Sequence, residues 1–450
     1  MKNAYDVVVV GGSAAGITAA VTARRYYPDK SIAVIRKENK VLIPCGIPYI
    51  YGTVGSTDNN LIPDAVLEKN NIGLILDEVT AVDAQNKTVQ TQGAESIGYD
   101  RLVLCTGSVP LIPPITGVEK ENIYAVCKDV NYLNRFTSCM DSGIKDLVVV
   151  GGGFIGVEFA DECAKGRDLN VTIIEMMDHC LALAYDDEVC DQAEQKLRDR
   201  GVNVRTSEKV VEFCGTEKVE SVRLESGEEI KADAVLLGIG VRAEKSLAEE
   251  SGLEIGPRGG VAVDLNMRTS NEHIFACGDC AEKRSFFTGQ PTMLKLASIA
   301  TSEARIAGAN LFGNQRRNSG TLGVFSTAFD SVSFCRAGMT EREARKYNFN
   351  YVVGTAEAPN RHPGKMPGMA AIWVKLIFER ATRNIIGGQI TGGESAGEMI
   401  NTVSACIQKH MTINDIATFQ TGTHPALTAS PIAYQLVNAA EAAEKELRSG

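Results

Sequence analysis

A pattern that occurs twice constrains the fold of this chain more than any other feature: a run of β-branched residues, a glycine-rich turn and then a helical stretch. The first copy has its strand at 6–10 and its turn at 11–16, and the second copy has them at 146–150 and 151–156. Continuous β-branched runs are typical of strands buried on both faces of a parallel sheet. Two such units, each followed by a further strand, predict an α/β protein with two Rossmann-like domains.

The first turn has the G-x-G-x-x-G spacing at Gly11, Ser13 and Gly16, with serine in place of the middle glycine. Small residues let the backbone approach a pyrophosphate, and the N-terminus of the following helix donates amides to it. The end of the next strand, where an acidic ribose contact is expected, holds Arg36, so Glu38 is the alternative contact. Alone, this motif also fits an ordinary glycine turn before a packed helix.

The second turn carries the complete spacing at Gly151, Gly153 and Gly156. The strand that follows ends in Glu175, 24 positions beyond Gly151. A carboxylate there accepts a hydrogen bond from a ribose 2′-hydroxyl and repels a 2′-phosphate. The second unit therefore predicts a site for NAD(H) rather than NADP(H).

A single cysteine, Cys45, follows the first unit in the stretch at 41–50. A thiolate becomes a nucleophile when its pKa is lowered, and a helix N-terminus lowers it. Pro48 favours the first turn of a helix, so we expect a helix whose amides point at the Cys45 sulfur. Position 50, where a second redox cysteine would lie, is Ile50, so any disulfide formed by Cys45 is with another molecule. The alternative is a buried apolar cysteine.

The composition excludes several classes of function. At 450 residues the chain is expected to form two to four domains, and its net charge of −10 argues against nucleic acid and anionic membrane surfaces. No apolar run reaches membrane-spanning length, and the start of the chain predicts no signal peptide. Twelve cysteines, mostly single, indicate reduced thiols in the cytoplasm, and five histidines without paired spacing indicate no metal site.

The last third of the chain adds two features. The stretch at 269–279 ends in Gly278-Asp279, where the carboxylate can bind a polyol hydroxyl or cap the next helix. Beyond residue 320 alternating strands and helices predict a third, α+β unit. Its predicted strands lie at 321–327, 351–355, 371–378 and 385–391, and its predicted helices at 394–409 and 430–447.

With these motifs together, the chain resembles the FAD-dependent pyridine nucleotide-disulfide oxidoreductases over nearly its whole length. The resemblance rests on both glycine turns, the Cys-Gly-Ile-Pro-Tyr stretch at 45–49, Thr106-Gly107, Glu158 with Glu175, and the stretch at 275–279. The lone cysteine resembles the branch that holds coenzyme A disulfide reductases, NADH polysulfide and persulfide reductases, NADH oxidases and NADH peroxidases.

The resemblance implies two Rossmann-like domains and a C-terminal α+β dimerisation domain. FAD would bind residues 1–115 and 266–320, NAD(H) would bind 116–265, and a homodimer interface would form from 321–450. The implied contacts to the two cofactors are Gly11, Ser13, Ala14, Ala15, Gly16, Arg36, Lys37, Glu38, Thr106, Gly107, Asp279, Leu296, Ala297, Gly151, Gly153, Phe154, Ile155, Gly156, Glu158, Glu175 and Gly240.

The same resemblance implies a reaction. Hydride would pass from NADH to FAD and then to sulfur at Cys45, which would attack coenzyme A disulfide, a persulfide or a polysulfide. His424 of the other subunit would be the acid for the leaving thiolate, although Ala429 replaces the glutamate that usually supports such a histidine. A histidine that only packs a helix start is the alternative.

Coenzyme A enzymes of this branch contact their substrate along the first helix, which here carries Thr18, Thr22 and Arg25. The peroxidases and oxidases carry a histidine where this chain has Ala14, which weighs against a dedicated peroxidase. Two alternatives stay open: an NADH oxidase that reduces oxygen at the flavin, and a thiol redox sensor in which Cys45 oxidation changes the dimer.

Overall fold

The computed structural model describes residues 4–449, which divide into two compact units. The first unit contains the chain up to Val150, Glu162–Leu169 and Val211–Thr321. The second contains Gly151–Asp161, Asn170–Val210 and the chain from Leu322 onward. Each unit is described by itself.

The main sheet of the first unit has seven strands. Five are parallel, and the strand Ser96–Leu104 pairs with three neighbours at different points. The parallel strands are, in order across the sheet, Gly73–Leu76, Ile32–Arg36, Ala4–Val10, Ser96–Leu104 and Ile274–Ala276, and Thr88–Thr91 and Val79–Asp83 continue antiparallel from Ser96–Leu104.

The strand Ala4–Val10 lies at the centre of this parallel sheet, and its second half is buried. Val7, Val8 and Val9 are fully buried, as a strand covered on both faces requires. The helix Ala14–Tyr26 follows that strand and packs on the helix Ala297–Asn310. Gly308 permits this close approach, because a Cβ there would lie 2.5 Å from the carbonyl oxygen of Ala19.

Smaller elements complete the first unit. The strands Asp146–Val150, Ala234–Leu237 and Ile123–Ala125 pair in parallel. The other strands are Ser108–Pro110, Val210–Cys214, Ser221–Leu224, Glu229–Lys231, Val241–Ala243, Lys283–Arg284 and Pro291–Thr292, and the other helices are Ala65–Lys69, Val130–Asp141 and Ser246–Glu250. The helix Phe154–Ala164 has most of its residues, up to Asp161, in the second unit.

The second unit is built on a five-stranded antiparallel sheet. Its strands are, in order, Val324–Phe329, Val332–Gly338, Ile385–Gly392, Ala371–Glu379 and Tyr351–Pro359. The parallel pair Asn170–Ile174 and Asn203–Arg205 belongs to the same unit. Its helices are Asp187–Asp199, Glu341–Lys346, Ala396–Gln408, Ile413–Ala417 and Gln435–Ser449.

The predicted α/β class, with an α+β C-terminal part, is confirmed. Prediction missed the strand Val332–Gly338 because its small and polar residues break the apolar alternation, although every residue after Val332 is buried. Short helices such as Ile413–Ala417 were also missed, since five residues give no periodic signal. Within residues 4–449, no helix combines the length and apolar character needed to cross a membrane.

Candidate active site

The first glycine turn has the conformation that its spacing predicts. Gly11 has a φ of +109°, and a Cβ there would collide with the carbonyl of Cys105. A Cβ on Gly16 would collide with the carbonyl of Gly11. Both glycines are therefore required, Gly11 for the backbone turn and Gly16 for close packing of the helix on the strand.

The helix that follows this turn fits a pyrophosphate. Ser13 is its N-cap in extended conformation, and Ala14 and Ala15 begin its first turn. Among the described residues, no side chain caps this end, and its first turn carries no acidic group. The partial positive charge of the helix N-terminus is thus left for an external anion.

The strand that follows this helix, Ile32–Arg36, ends at Arg36, whose side chain holds the next loop. The Arg36 side chain is 1% exposed and forms two hydrogen bonds with Asp64, of 2.6 and 2.8 Å. Its Nε donates to the carbonyl of Glu38, while Lys37 pairs with Glu78 at 2.8 Å. The Arg36 guanidinium therefore supports the loop from inside, and the Glu38 side chain is the partly exposed group at the expected ribose position.

Asp279 lies in the turn after the strand Ile274–Ala276. Its Oδ2 accepts hydrogen bonds from Ser108 Oγ at 2.7 Å and from Lys128 Nζ at 3.4 Å. The helix Ala297–Asn310 begins nearby in the chain, with Leu296 as its extended N-cap. The Asp279 carboxylate is thus held by Ser108 and Lys128, while contacts of Asp279, Leu296 and Ala297 with a flavin nucleotide stay a prediction.

Thr106 and Gly107 follow the main-sheet strand Ser96–Leu104, and Gly240 precedes the strand Val241–Ala243, which pairs with Ser108–Pro110. Thr106 Oγ1 donates to the carbonyl of Glu244 at 2.7 Å, and the Glu244 amide donates to the carbonyl of Gly107 at 3.0 Å. Gly240 has a φ of +104° and accepts from the Leu111 amide at 3.0 Å. These hydrogen bonds connect the chain segment at 106–111 to the segment at 240–244.

Cys45 lies in a short 3₁₀ turn, Pro44–Gly46, and its side chain is exposed. A second 3₁₀ turn, Pro48–Tyr51, follows directly. The prediction of an α-helix that points its amides at Cys45 is therefore wrong. Pro44 and Pro48 each occupy the first turn of a short segment, and Pro48 lacks the amide that would continue the first segment into the second.

One buried polar side chain, Asn60, fixes this cysteine turn, and a second, Glu162, holds the segment that follows at Thr53; neither was predicted. Asn60 is 4% exposed, and its Nδ2 donates to the carbonyl of Ile43 at 3.0 Å, while its Oδ1 lies where a Cβ on Gly46 would collide. Glu162 is 1% exposed and accepts from the amide of Thr53 at 2.7 Å. Sequence patterns gave no signal for either residue, because each acts through backbone groups distant in the chain.

The other eleven cysteines differ from Cys45. In the described part of the chain they form no disulfide, and nine are buried while Cys127 and Cys214 are half-buried. Burial raises the pKa of Cys163 and of Cys190 to about 12, and that of Cys335 to about 11. Such thiols stay protonated at neutral pH and are poor nucleophiles.

The second glycine turn, in the second unit, is closed by Glu175. Its two carboxylate oxygens accept from the amides of Gly152 at 2.6 Å and Met177 at 2.7 Å. Gly151 has a φ of +104°, close to the value at Gly11 in the first turn. No described atom lies within 4 Å of the position of a Cβ on Gly153, so the backbone there is open to a ligand.

The residues after this turn contact the antiparallel sheet of the same unit. The Phe154 ring stacks on Phe325, with ring centroids 5.4 Å apart. Glu158 Oε1 accepts from Thr327 Oγ1 at 2.9 Å. Ile155 and Gly156 lie between them in the helix Phe154–Ala164. The Glu158 carboxylate is thereby oriented by the sheet.

Family comparison accounts for both glycine turns and the C-terminal sheet. Residues 5–304 match the pyridine nucleotide-disulphide oxidoreductase family, and residues 324–432 match the dimerisation domain of the same family. The chain belongs to the pyridine nucleotide-disulphide oxidoreductases. Enzymes of this family use FAD and NAD(P)H, so this oxidoreductase is a flavoprotein that takes its electrons from a pyridine nucleotide.

Individual relatives of this oxidoreductase include sulfur-reducing and oxygen-reducing enzymes. An NAD(P)H coenzyme A polysulfide/persulfide reductase of Pyrococcus horikoshii is 32% identical over 91% of this chain and 92% of its own. An NADH oxidase of Methanocaldococcus jannaschii is 32% identical over 92% and 93% of the two chains. The solved NAD-dependent persulfide reductase of A. fulgidus is 32% identical and superposes with a TM-score of 0.91. The match covers 98% of this chain and 84% of that protein's chain.

The first helix of the oxidoreductase presents only part of the predicted substrate surface. Thr18 is half-buried and Arg25 is exposed. Thr22 is 6% exposed, and its Cβ lies 3.0 Å from the position of a Cβ on Gly308 in the helix Ala297–Asn310. The expectation that Thr22 contacts substrate is therefore corrected, since this side chain is enclosed between two helices.

His424 of the oxidoreductase lies in an exposed loop. Its Nδ1 accepts a hydrogen bond from the Ala426 amide at 3.2 Å, so the neutral ring carries its proton on Nε2. His362 stabilises the loop, because its amide donates to the Pro425 carbonyl at 3.0 Å and its Nδ1 lies 3.1 Å from the Thr428 carbonyl. The exposed His424 side chain therefore carries its N–H group at Nε2 when the ring is neutral.

Proposed function

We propose that this protein is an FAD-dependent NADH:disulfide or persulfide reductase, with Cys45 as its redox thiol. The observation that carries the proposal is the contrast between Cys45, the exposed cysteine, and the eleven buried or half-buried ones. Cys45 belongs to the same compact unit as the first glycine turn and Asp279. The relatives named for persulfide and polysulfide reduction support this assignment.

We propose for the cofactor domains the layout expected from the sequence. FAD is bound by residues 1–115 and 266–320, NAD(H) by 116–265, and the homodimer interface forms from 321–450. The uncapped helix N-terminus after Gly11 holds the FAD pyrophosphate, and Asp279 holds its ribityl chain. Gly153 leaves space for the NAD(H) pyrophosphate, and Glu175 selects NADH. When bound, FAD supplies the two-electron exchange between the nicotinamide and sulfur.

The chemistry of the chain's own residues begins at Cys45. Its thiolate attacks one sulfur of a disulfide, forms a new S–S bond and expels the other sulfur as a thiolate. Two electrons that originate from NADH then cleave this mixed disulfide, which restores the Cys45 thiolate and releases the second thiolate. With a persulfide or polysulfide the same steps release hydrosulfide. The short 3₁₀ turn held by Asn60 keeps the sulfur exposed for this attack.

His424 is the proposed acid for the leaving thiolate, contributed by the second subunit of a homodimer. Its outward Nε2 proton is the group that would be transferred. The substrate is a small sulfur compound such as coenzyme A disulfide or persulfide, and Thr18 and Arg25 remain as contacts for its nucleotide part. We propose that the enzyme acts in the cytoplasm, as its twelve mostly single cysteines favour, and that neither nucleic acid nor a membrane is a partner.

Oxygen reduction is the second candidate function, because NADH oxidases are among the relatives of comparable identity. Ala14 weighs against it, since the oxidase branch carries a histidine at that position of the first turn. In an oxidase, reduced flavin would pass electrons to oxygen, and the Cys45 thiol would be dispensable or accessory.

Steady-state NADH consumption under anaerobic conditions separates the two functions. The acceptors to compare are coenzyme A disulfide, coenzyme A persulfide, polysulfide and, in a separate aerobic assay, oxygen. We expect the highest kcat/KM with a sulfur acceptor, and release of thiol or sulfide in proportion to the NADH used. Faster turnover with oxygen than with every sulfur compound would reject the proposal in favour of the oxidase.

A further inference from the structure

A buried ion pair that takes no part in the proposed chemistry lies beside the turn that carries Asp279. Lys283 Nζ is 2.8 Å from Glu303 Oε2, and both side chains are 3% exposed. Lys283 belongs to the strand Lys283–Arg284, and Glu303 to the helix Ala297–Asn310.

Both members of the pair bind the backbone of Gly278. Lys283 Nζ donates to the Gly278 carbonyl at 2.5 Å and to the Ala281 carbonyl at 2.9 Å. Glu303 Oε2 accepts from the Gly278 amide at 3.0 Å. The pair therefore fixes both polar groups of the residue that precedes Asp279.

Gly278 itself is in contact with the first glycine turn. Its φ is +80°, and a Cβ on it would lie 2.9 Å from the Cβ of Ala15. Ala15 is at the start of the helix whose N-terminus fits the FAD pyrophosphate. A displacement of Gly278 would consequently change the position of the Asp279 carboxylate relative to that helix end.

Stability alone does not require a pair of this kind. Burial raises the pKa of Glu303, which reflects the cost of holding a carboxylate away from water. Replacing a buried ion pair by apolar residues of similar volume is often neutral or stabilising. Apolar residues could not, however, hold both the amide and the carbonyl of Gly278.

We propose that Lys283 and Glu303 are positioning residues for FAD, which act through Gly278 to hold Asp279 at the ribityl chain and do not touch the cofactor. This inference rests on the proposed contact between Asp279 and FAD. It concerns the affinity for the cofactor and is independent of which sulfur compound, or oxygen, accepts the electrons.

The test measures FAD dissociation constants of apoproteins by quenching of FAD fluorescence. The double variant Lys283→Met/Glu303→Leu is expected to bind FAD about 10-fold more weakly, the equivalent of one hydrogen bond to a charged group, with a thermal midpoint within a few degrees of wild type. Glu303→Gln keeps an acceptor for the Gly278 amide and should lose less affinity. If the double variant does not fold, the FAD dissociation constants of Glu303→Gln and Glu303→Leu are compared instead.

A double-mutant cycle with Asp279→Asn tests whether the pair acts through Asp279. We expect Asp279→Asn to weaken FAD binding in the wild type and to have a much smaller effect in the double variant. Additive effects, or unchanged FAD affinity in the double variant, would overturn the inference. If Asp279→Asn alone leaves the affinity unchanged, the assumed contact between Asp279 and FAD is what fails, and the inference falls with it.

A control for general destabilisation is the buried pair of Lys375 and Asp186 in the second unit, where loss of Lys375 also leaves Glu341 without its cation. The variant Lys375→Met/Asp186→Leu changes the same kinds of buried groups. Its FAD affinity should equal that of wild type, whereas an equal loss of affinity would attribute the effect to general destabilisation and reject the positioning role.

Discussion

At the scale of single residues, accessibility separates the groups that react from those that support. Cys45 is exposed in its 3₁₀ turn, while Cys105 and Cys277, whose sulfur atoms are 3.4 Å apart, are buried. The hydrogen bond with the Cys277 thiol, together with burial, raises the pKa of Cys105, so it stays protonated. The Glu175 carboxylate, in contrast to these buried thiols, is held by two backbone amides at the edge of an open glycine turn.

Substitution of Glu175 should change the choice of nucleotide. Glu175→Ala removes the charge that repels a 2′-phosphate, so we expect the ratio of kcat/KM for NADPH to that for NADH to rise about 10-fold or more. Glu175→Gln removes the charge but keeps an acceptor for the Gly152 amide, so it should raise the ratio with less loss of NADH activity. Asp178→Ala, which removes an exposed charge nearby in the chain, is the control. An unchanged ratio in both Glu175 variants would mean that this turn does not hold the ribose.

At the scale of secondary-structure elements, Lys375 joins a strand to two helices of the second unit. Its side chain is 3% exposed, and its Nζ lies 2.9 Å from Asp186 Oδ2 and 2.5 Å from Glu341 Oε1. It also pairs with Glu188. Asp186 is the N-cap of the helix Asp187–Asp199, and Glu341 begins the helix Glu341–Lys346. Burial by itself would raise the pKa of Asp186 and of Glu341, but Lys375 holds both below their ordinary values.

Removing Lys375 should therefore destabilise the protein in a pH-dependent manner. Because both carboxyls have lowered pKa values, their stabilising pairing is complete above about pH 4.5 and is lost as the pH falls below about 4. Lys375→Met should cost about 3–5 kcal/mol near neutral pH, since it leaves buried charges unpaired. Thermal unfolding from pH 3 to 8 should show a midpoint difference from wild type that is large at pH 7 and small at pH 3.

The exposed Lys409 provides the control for this series, because Lys409→Met removes the same charge without leaving a buried carboxylate unpaired. It should leave the midpoint close to wild type throughout. A Lys375→Met curve that runs parallel to wild type at all pH values would show that the lost packing of the side chain, and not the ion pairs, produces the effect.

At the scale of the whole molecule, sequence patterns predicted the elements that repeat and missed those that depend on distant contacts. The two glycine turns, Glu175 and the α+β C-terminal part follow from local spacing and periodicity. Asn60, Glu162 and Glu303, the partner of Lys283, could not be predicted in this way, because each binds a backbone group far away in the chain. The prediction of a helix after Cys45 was wrong, because Pro44 and Pro48 divide that segment into two short 3₁₀ turns.

Complementation between subunits tests whether the site is shared across a homodimer. A heterodimer of a Cys45→Ser subunit and a His424→Ala subunit contains one site with both wild-type side chains if they come from different subunits. We expect this heterodimer, isolated with two affinity tags, to have about half the wild-type activity, while each variant homodimer is strongly impaired. Activity equal to the mean of the two homodimers would place His424 in its own subunit's site or outside the chemistry.

The central claim is that electrons reach the sulfur acceptor through Cys45. The most direct measurement is a single turnover without oxygen. The enzyme is reduced by one equivalent of NADH and then mixed with coenzyme A persulfide, while the absorbance of the flavin is followed. Wild type and Cys45→Ser should be reduced by NADH at similar rates, and only wild type should then be reoxidised rapidly with release of sulfide. Reoxidation of the Cys45→Ser flavin at the wild-type rate would contradict the account.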